Sequence, residues 1–210
     1  MMEMSMMLDF PALQAATVQR EPFDHLIVPG FLTLDAVSQI EAGFPAIDRP
    51  GSFPLKSLTY GDAFRRLSEA LQGPEMAKAM GEKFDMDLVN QPSMLTVRGH
   101  CKPSDGQIHT DSLGKLVTVL IYVNDGWNAD GGRLRLLRTA DDIEDYAAEV
   151  PPDAGTMLAF RCSENAWHGH KPFDGQRRSM QLNWVRDTAY LRKEQFRHRV
   201  SALVKKVRFG

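Results

Sequence analysis

Leu116-Val-Thr-Val-Leu-Ile-Tyr-Val-Asn124, closed by Asp125-Gly126, is the stretch that decides the fold. It is β-branched and aromatic, and it ends on residues that favour a tight turn, so it reads as a strand running into a turn. Similar short runs lie on either side: Met94 to Arg98, Gln107 to Thr110, Arg133 to Arg138, Thr156 to Arg161 and Ser179 to Arg186. Turn-forming segments separate them, among them Pro103 to Gly106, Gly131-Gly132 and Pro151 to Gly155. Many short strands at such spacing predict a sandwich or jelly roll.

Upstream of Ser93 the texture is different. His25 to Val28 reads as a strand closed by Pro29-Gly30. Thr33 is a candidate cap for a helix over Leu34 to Phe44, which Pro45 ends. Asp62 is a candidate cap for a helix from Ala63 to Leu71, and Met76 to Phe84 reads as a third. These helices are expected to pack on one face of the strands. At the other end, Phe196, Val200, Leu203, Val204 and Val207 recur at helical spacing. Eight Lys/Arg against two acids after Val185 are read as the solvated face of that helix. The expectation is one domain over 1–210: helical support to about 90, a strand-rich core over about 91–186, and a C-terminal helix over about 187–210.

Bulk composition excludes several classes. The chain has 210 residues, 43% of them hydrophobic, enough for a real core. Its net charge of -2, from 25 basic and 27 acidic residues, offers no global attraction to nucleic acid or anionic membrane. Two cysteines, Cys101 and Cys162, make no disulfide framework and read as buried thiols of a reducing compartment. No apolar run is long enough to span a membrane. The Met-rich opening lacks the pattern of a signal peptide. A cytoplasmic protein is expected.

The chemistry is expected from two of the six histidines and one acid. His109-Thr110-Asp111 places two ligand types two residues apart, which on a strand turns both to one side. His168 lies 57 positions beyond Asp111, and His170 is a competing distal histidine. Two imidazoles and one carboxylate form the facial set that leaves open positions on iron(II). Taken alone, a His-x-Asp pair is weak evidence.

The ordered set of motifs is more specific. Gln107-Ile-His-Thr-Asp111 is followed by the strand at Leu116, by Gly131-Gly-Arg-Leu-Arg-Leu136, and by Pro152-Asp-Ala-Gly-Thr-Met-Leu-Ala-Phe160. Last comes Trp167-His-Gly-His-Lys-Pro-Phe-Asp-Gly-Gln-Arg-Arg-Ser-Met-Gln-Leu-Asn-Trp184. This order resembles the 2-oxoglutarate/iron(II) dioxygenases of the prolyl-hydroxylase-like branch, in their small bacterial form. Phe23 to Leu32 is similar to their opening strand.

The resemblance implies a mostly β fold with some α, a double-stranded β-helix (jelly roll) flanked by N-terminal helices and a C-terminal helix. It implies a hydroxylase in which His109, Asp111 and His168 hold catalytic Fe(II), with 2-oxoglutarate and O2 as co-substrates and ascorbate in support. It implies an arginine for the far carboxylate of 2-oxoglutarate, nine to eleven positions after the last histidine. Arg177 and Arg178 both qualify. Arg178 is preferred, because it shares a strand face with Met180, Leu182 and Trp184, whereas Arg177 shares one with Ser179, Gln181 and Asn183. Tyr122 matches a tyrosine that bonds the same carboxylate, and Thr118 shares its strand face. Arg98 and Gln107 are read as surface polar residues near the mouth.

The retained Asp111 favours hydroxylation or oxidative demethylation over halogenation. Other readings are a cupin-like iron oxygenase that does not use 2-oxoglutarate, and an AlkB-type oxidative demethylase. The expected substrate is a small molecule or a peptidyl residue rather than nucleic acid. Neither the substrate nor the oligomeric state is named by the sequence.

Overall fold

In the computed structural model, residues 7–192 are described. Four helices precede most of the strands. Helix α1 (Phe10–Ala15) is capped by Asp9, whose carboxylate accepts from the Ala12 N–H at 2.8 Å. Strand β1 (His25–Val28) leads into α2 (Leu34–Gly43), capped as expected by Thr33. A two-residue strand β2 (Phe53–Pro54) and a 3-10 turn precede α3 (Asp62–Leu71) and α4 (Pro74–Phe84).

The expected Asp62 cap is corrected: Gly61 is the cap and Asp62 opens the first turn. The reason is steric. A Cβ at Gly61 would stand 2.9 Å from the Gly43 backbone, so the start of α3 and the end of α2 meet only through paired glycines.

The remaining strands are β3 (Ser93–Cys101), β4 (Lys115–Tyr122), β5 (Leu134–Leu137), β6 (Tyr146–Val150), β7 (Met157–Arg161), β8 (His168–Gly169) and β9 (Gly175–Val185). They form two antiparallel sheets. The major sheet runs β1-β7-β4-β9-β3-β2 and the minor sheet runs β6-β5-β8. Mostly β structure with a helical flank is the expected class, and the two sheets give the jelly-roll core. Strands β6 and β8 and helix α1 were not expected from the sequence. Beyond Val185 a helix starts at 188–192, and most of the expected C-terminal helix lies outside the described residues.

Each strand of the major sheet alternates its side chains between two very different surroundings. On one face, Val97, Val117, Val119, Ile121, Ala159, Met180, Leu182 and Trp184 pack with Ile40, Phe64, Leu67, Met80 and Phe84 of the helices. Burying a Val, Leu or Ile side chain there stabilises the fold by about 1.5–3 kcal/mol each. The other face turns toward the minor sheet. At its closed end, Tyr122, Leu158 and Phe160 pack with Leu134, Leu136 and Val150. Toward the open end the same face becomes polar, and a cavity of about 480 Å³ opens between the sheets.

Candidate active site

Backbone pairing at the β8 edge of the minor sheet brings the expected ligands together. Gln107 to Thr110 is not a regular strand. His109 instead makes a single antiparallel bridge to His168, with N–H···O distances of 3.0 and 2.9 Å in the two directions. His168 is itself registered against Leu136 on β5. One ladder therefore fixes both histidines side by side, their ring centroids 4.3 Å apart. Asp111 lies two residues further on, at the entrance to β4. One ligand atom from each of His109, Asp111 and His168 lies within 4.8 Å of the others.

The hydrogen bonds set the imidazoles up as ligands. His109 Nδ1 bonds the Gln107 carbonyl at 2.7 Å, and His168 Nδ1 bonds the Ala166 carbonyl at 2.9 Å. A carbonyl only accepts, so each Nδ1 carries a proton and Nε2 is the ring nitrogen left for the cavity. Burial, helped by neighbouring His109, pushes His168 down to about 4 and holds it neutral.

Asp111 is buried and fully engaged. Lys115 donates to one carboxylate oxygen at 2.6 Å and Thr118 Oγ1 donates to the other. Burial raises the Asp111 carboxyl, but the Lys115 charge and the hydrogen bonds from Lys115 and Thr118 outweigh it, leaving the group below the usual carboxylate range. Asn183 Nδ2 donates to Thr118 Oγ1 at 2.7 Å, which turns the hydroxyl proton toward Asp111. Thr118, expected simply to line the pocket beside Tyr122, is therefore a support for Asp111. His170, the competing histidine, bonds the Lys171 carbonyl and stands outside the triad; burial and the charge of Arg177 push it down to about 4. Gly106 makes room for its ring, since a Cβ there would come within 2.3 Å of it.

The arginine expectation is corrected. Arg178 is on the helix-facing side of β9, with its guanidinium carbon 5.3 Å from the centre of the Phe44 ring. Arg177 is the residue in the cavity, with Ser179, Gln181 and Asn183. The apolar face of β9 is buried against helices, and the polar face lines the space between the sheets. Arg177 is buried, donates from Nε to the Gly132 carbonyl at 2.7 Å, and sits 5.2 Å from the centre of the Tyr122 ring.

Around that guanidinium the site is short of acceptors. Tyr122 and Ser179 are registered opposite one another on β4 and β9, and both are essentially unexposed. The Tyr122 hydroxyl and Ser179 Oγ have no hydrogen-bond partner among the described residues. Burial raises the Tyr122 phenol, against the opposing charge of Arg177, so it stays a donor. A buried guanidinium beside two unsatisfied hydroxyls is complementary to one carboxylate.

Sequence reasoning missed Lys115, Ser179 and Asn183. Period-two spacing had already put the last two on the Arg177 face; preferring the Arg178 face set them aside. It also placed Arg98 on the surface, whereas Arg98 is half-buried and lines the cavity. Gln107 is exposed as expected.

Comparison with known proteins agrees with this geometry. Residues 97–186 match the model of the 2OG-Fe(II) oxygenase superfamily, a segment holding the whole triad and the strand that bears Arg177. A Pseudomonas putida prolyl-4-hydroxylase superposes with a TM-score of 0.56 at 18% identity, over 84% of this chain and 89% of that one. A viral collagen prolyl hydroxylase of Paramecium bursaria Chlorella virus-1 gives 0.50 at 13% identity, over 77% and 96%. A prolyl 4-hydroxylase from Phytophthora capsici gives 0.50 at 15% identity, over 77% and 58%. No curated protein matches in sequence. Over residues 97–186 the chain is thus similar to the 2OG-Fe(II) oxygenase superfamily, and the superpositions show that it shares the two-sheet fold of the prolyl-hydroxylase structures.

Proposed function

We propose that the chain hydroxylates a C–H bond of a small-molecule or peptidyl substrate. In this reading one O2 and one 2-oxoglutarate are consumed per R–H converted to R–OH, with succinate and CO2 released. The observation that carries it is the pairing, inside one cavity, of a His-Asp-His set with a carboxylate cradle.

His109 Nε2, His168 Nε2 and an Asp111 oxygen are the groups to hold the metal, and the fit rests on two imidazoles already oriented through Nδ1 by backbone carbonyls. When bound, ferrous iron with 2-oxoglutarate and O2 supplies the oxidising chemistry. Lys115 and Thr118 hold the Asp111 carboxylate in place. Arg177, Tyr122 and Ser179 take the far carboxylate of 2-oxoglutarate, satisfying the two orphaned hydroxyls. Leu134 and Phe160 exclude water from part of the cavity wall.

The test is succinate release by the Fe(II)-loaded protein, supplied with ascorbate and 2-oxoglutarate, across pools of candidate substrates. Wild type should release succinate and Asp111→Ala should release none. Turnover retained by Asp111→Ala would overturn the triad assignment. Substrate oxidation without 2-oxoglutarate consumption would favour a cupin-like oxygenase instead.

A further inference from the structure

Arg98 is a cation that the assigned chemistry leaves over. It lies on β3, on the cavity-facing side with Thr96, where Arg98 is registered opposite Ser179 and Thr96 opposite Gln181. Its guanidinium makes no hydrogen bond or ion pair among the described residues. Its charge acts, together with that of Arg177, on Cys101 and on His170, so the two arginines serve the same end of the cavity.

The charge balance gives Arg98 a task. The charged side chains lining the cavity are Arg98, Lys115, Arg177 and Asp111. With the metal ion and 2-oxoglutarate in place, formal charges come to five positive against three negative. Lys115 is satisfied by Asp111, and Arg177 by the co-substrate carboxylate in the cradle. Asp105, in the turn that follows β3, receives the Lys102 N–H at 3.2 Å and makes no ion pair with Arg98. A half-buried guanidinium without an anion is unfavourable unless a ligand brings one.

We infer that the substrate carries a carboxylate and that Arg98 is the specificity-determining residue that receives it, with Thr96 and Gln181 flanking the same spot. The inference rests on the iron and 2-oxoglutarate reading. It adds an electrostatic filter: a neutral analogue enters a cavity with surplus positive charge and leaves Arg98 unpaired.

The experiment is calorimetric, without turnover. Mn(II) replaces iron, 2-oxoglutarate is saturating, and the titrants are the N-acetyl amino acids as free acids and as their neutral amides. The expected result is at least one acid that binds about tenfold or more tighter than its amide, as a charged hydrogen-bonded pair would give. Arg98→Met, which keeps most of the apolar stem, removes that preference while changing the Kd for 2-oxoglutarate less than about twofold. Equal binding of acids and amides, or no binding by either set, overturns the inference. So does an Arg98→Met variant that loses 2-oxoglutarate affinity, since Arg98 would then belong to the co-substrate. If the wild-type protein with Mn(II) binds no 2-oxoglutarate at all, the co-substrate reading itself has failed, and this inference falls with it.

Discussion

The two faces of the six-stranded sheet are made from the same strands and do opposite work. Toward the helices, Val119, Ile121, Leu182 and Trp184 bury apolar surface and carry no chemistry. Toward the minor sheet, Thr118, Arg177, Ser179 and Asn183 are buried as well, yet every one of them is polar. Burial alone therefore does not separate core from site here. What separates them is whether the buried polar groups are satisfied by the protein. The helix-facing side has almost none to satisfy. The cavity side leaves the Tyr122 and Ser179 hydroxyls without partners, which marks where a ligand completes the structure.

The contrast can be broken by substitution, and the largest effect should come from the helix-facing side. Trp184→Ala removes a fully buried ring from the larger core and should cost about 3–5 kcal/mol, read as a lowered midpoint in chemical denaturation. Ser179→Ala, one strand face away, should change stability by less than about 1 kcal/mol, because its hydroxyl has no protein partner to lose. A Ser179 variant as destabilised as the Trp184 variant would erase the distinction.

A middle-sized effect tests the support around Asp111. Thr118→Val removes the hydroxyl that donates to Asp111 and accepts from Asn183, while nearly keeping the volume. Metal affinity should fall roughly 10–100-fold, with the far-ultraviolet circular dichroism unchanged. Unaltered affinity in a metal titration would show that Thr118 is packing only.

The smallest effect concerns reactivity. Burial raises the Cys101 thiol and pushes Cys162 up to about 12. The raised value favours the neutral thiol, so thiolate appears only as pH climbs toward that value. Both cysteines should resist iodoacetamide at pH 8 in the native protein and react after denaturation. Rapid native alkylation of Cys162, followed by mass spectrometry, would show that its pocket opens.

Much of this was legible in the sequence, and the failures share one cause. The strand series, the His109-x-Asp111 pair and His168 were all readable, because alternation, turn residues and ligand chemistry are local. The choice between Arg177 and Arg178 was not. Alternation correctly put them on opposite faces, but the assumption that the apolar face lines the barrel interior inverted the assignment. In this fold the apolar face meets helices supplied by α2, α3 and α4, and that is a long-range fact. Strand β8, only two residues long, was invisible for the same reason: it exists through pairing with β5 and His109. Arg98 read as a surface residue because nothing in its neighbours along the chain announces the cavity that β9 closes beside it.

The central claim is that the polar face of β9 holds the co-substrate. The most direct measurement is the Kd of 2-oxoglutarate for Mn(II)-loaded wild type, Arg177→Ala and Arg178→Ala. Loss of a charge-assisted, bidentate contact predicts a weakening on the order of 100-fold for Arg177→Ala and less than about threefold for Arg178→Ala. The reverse order, or equal effects, would contradict the account.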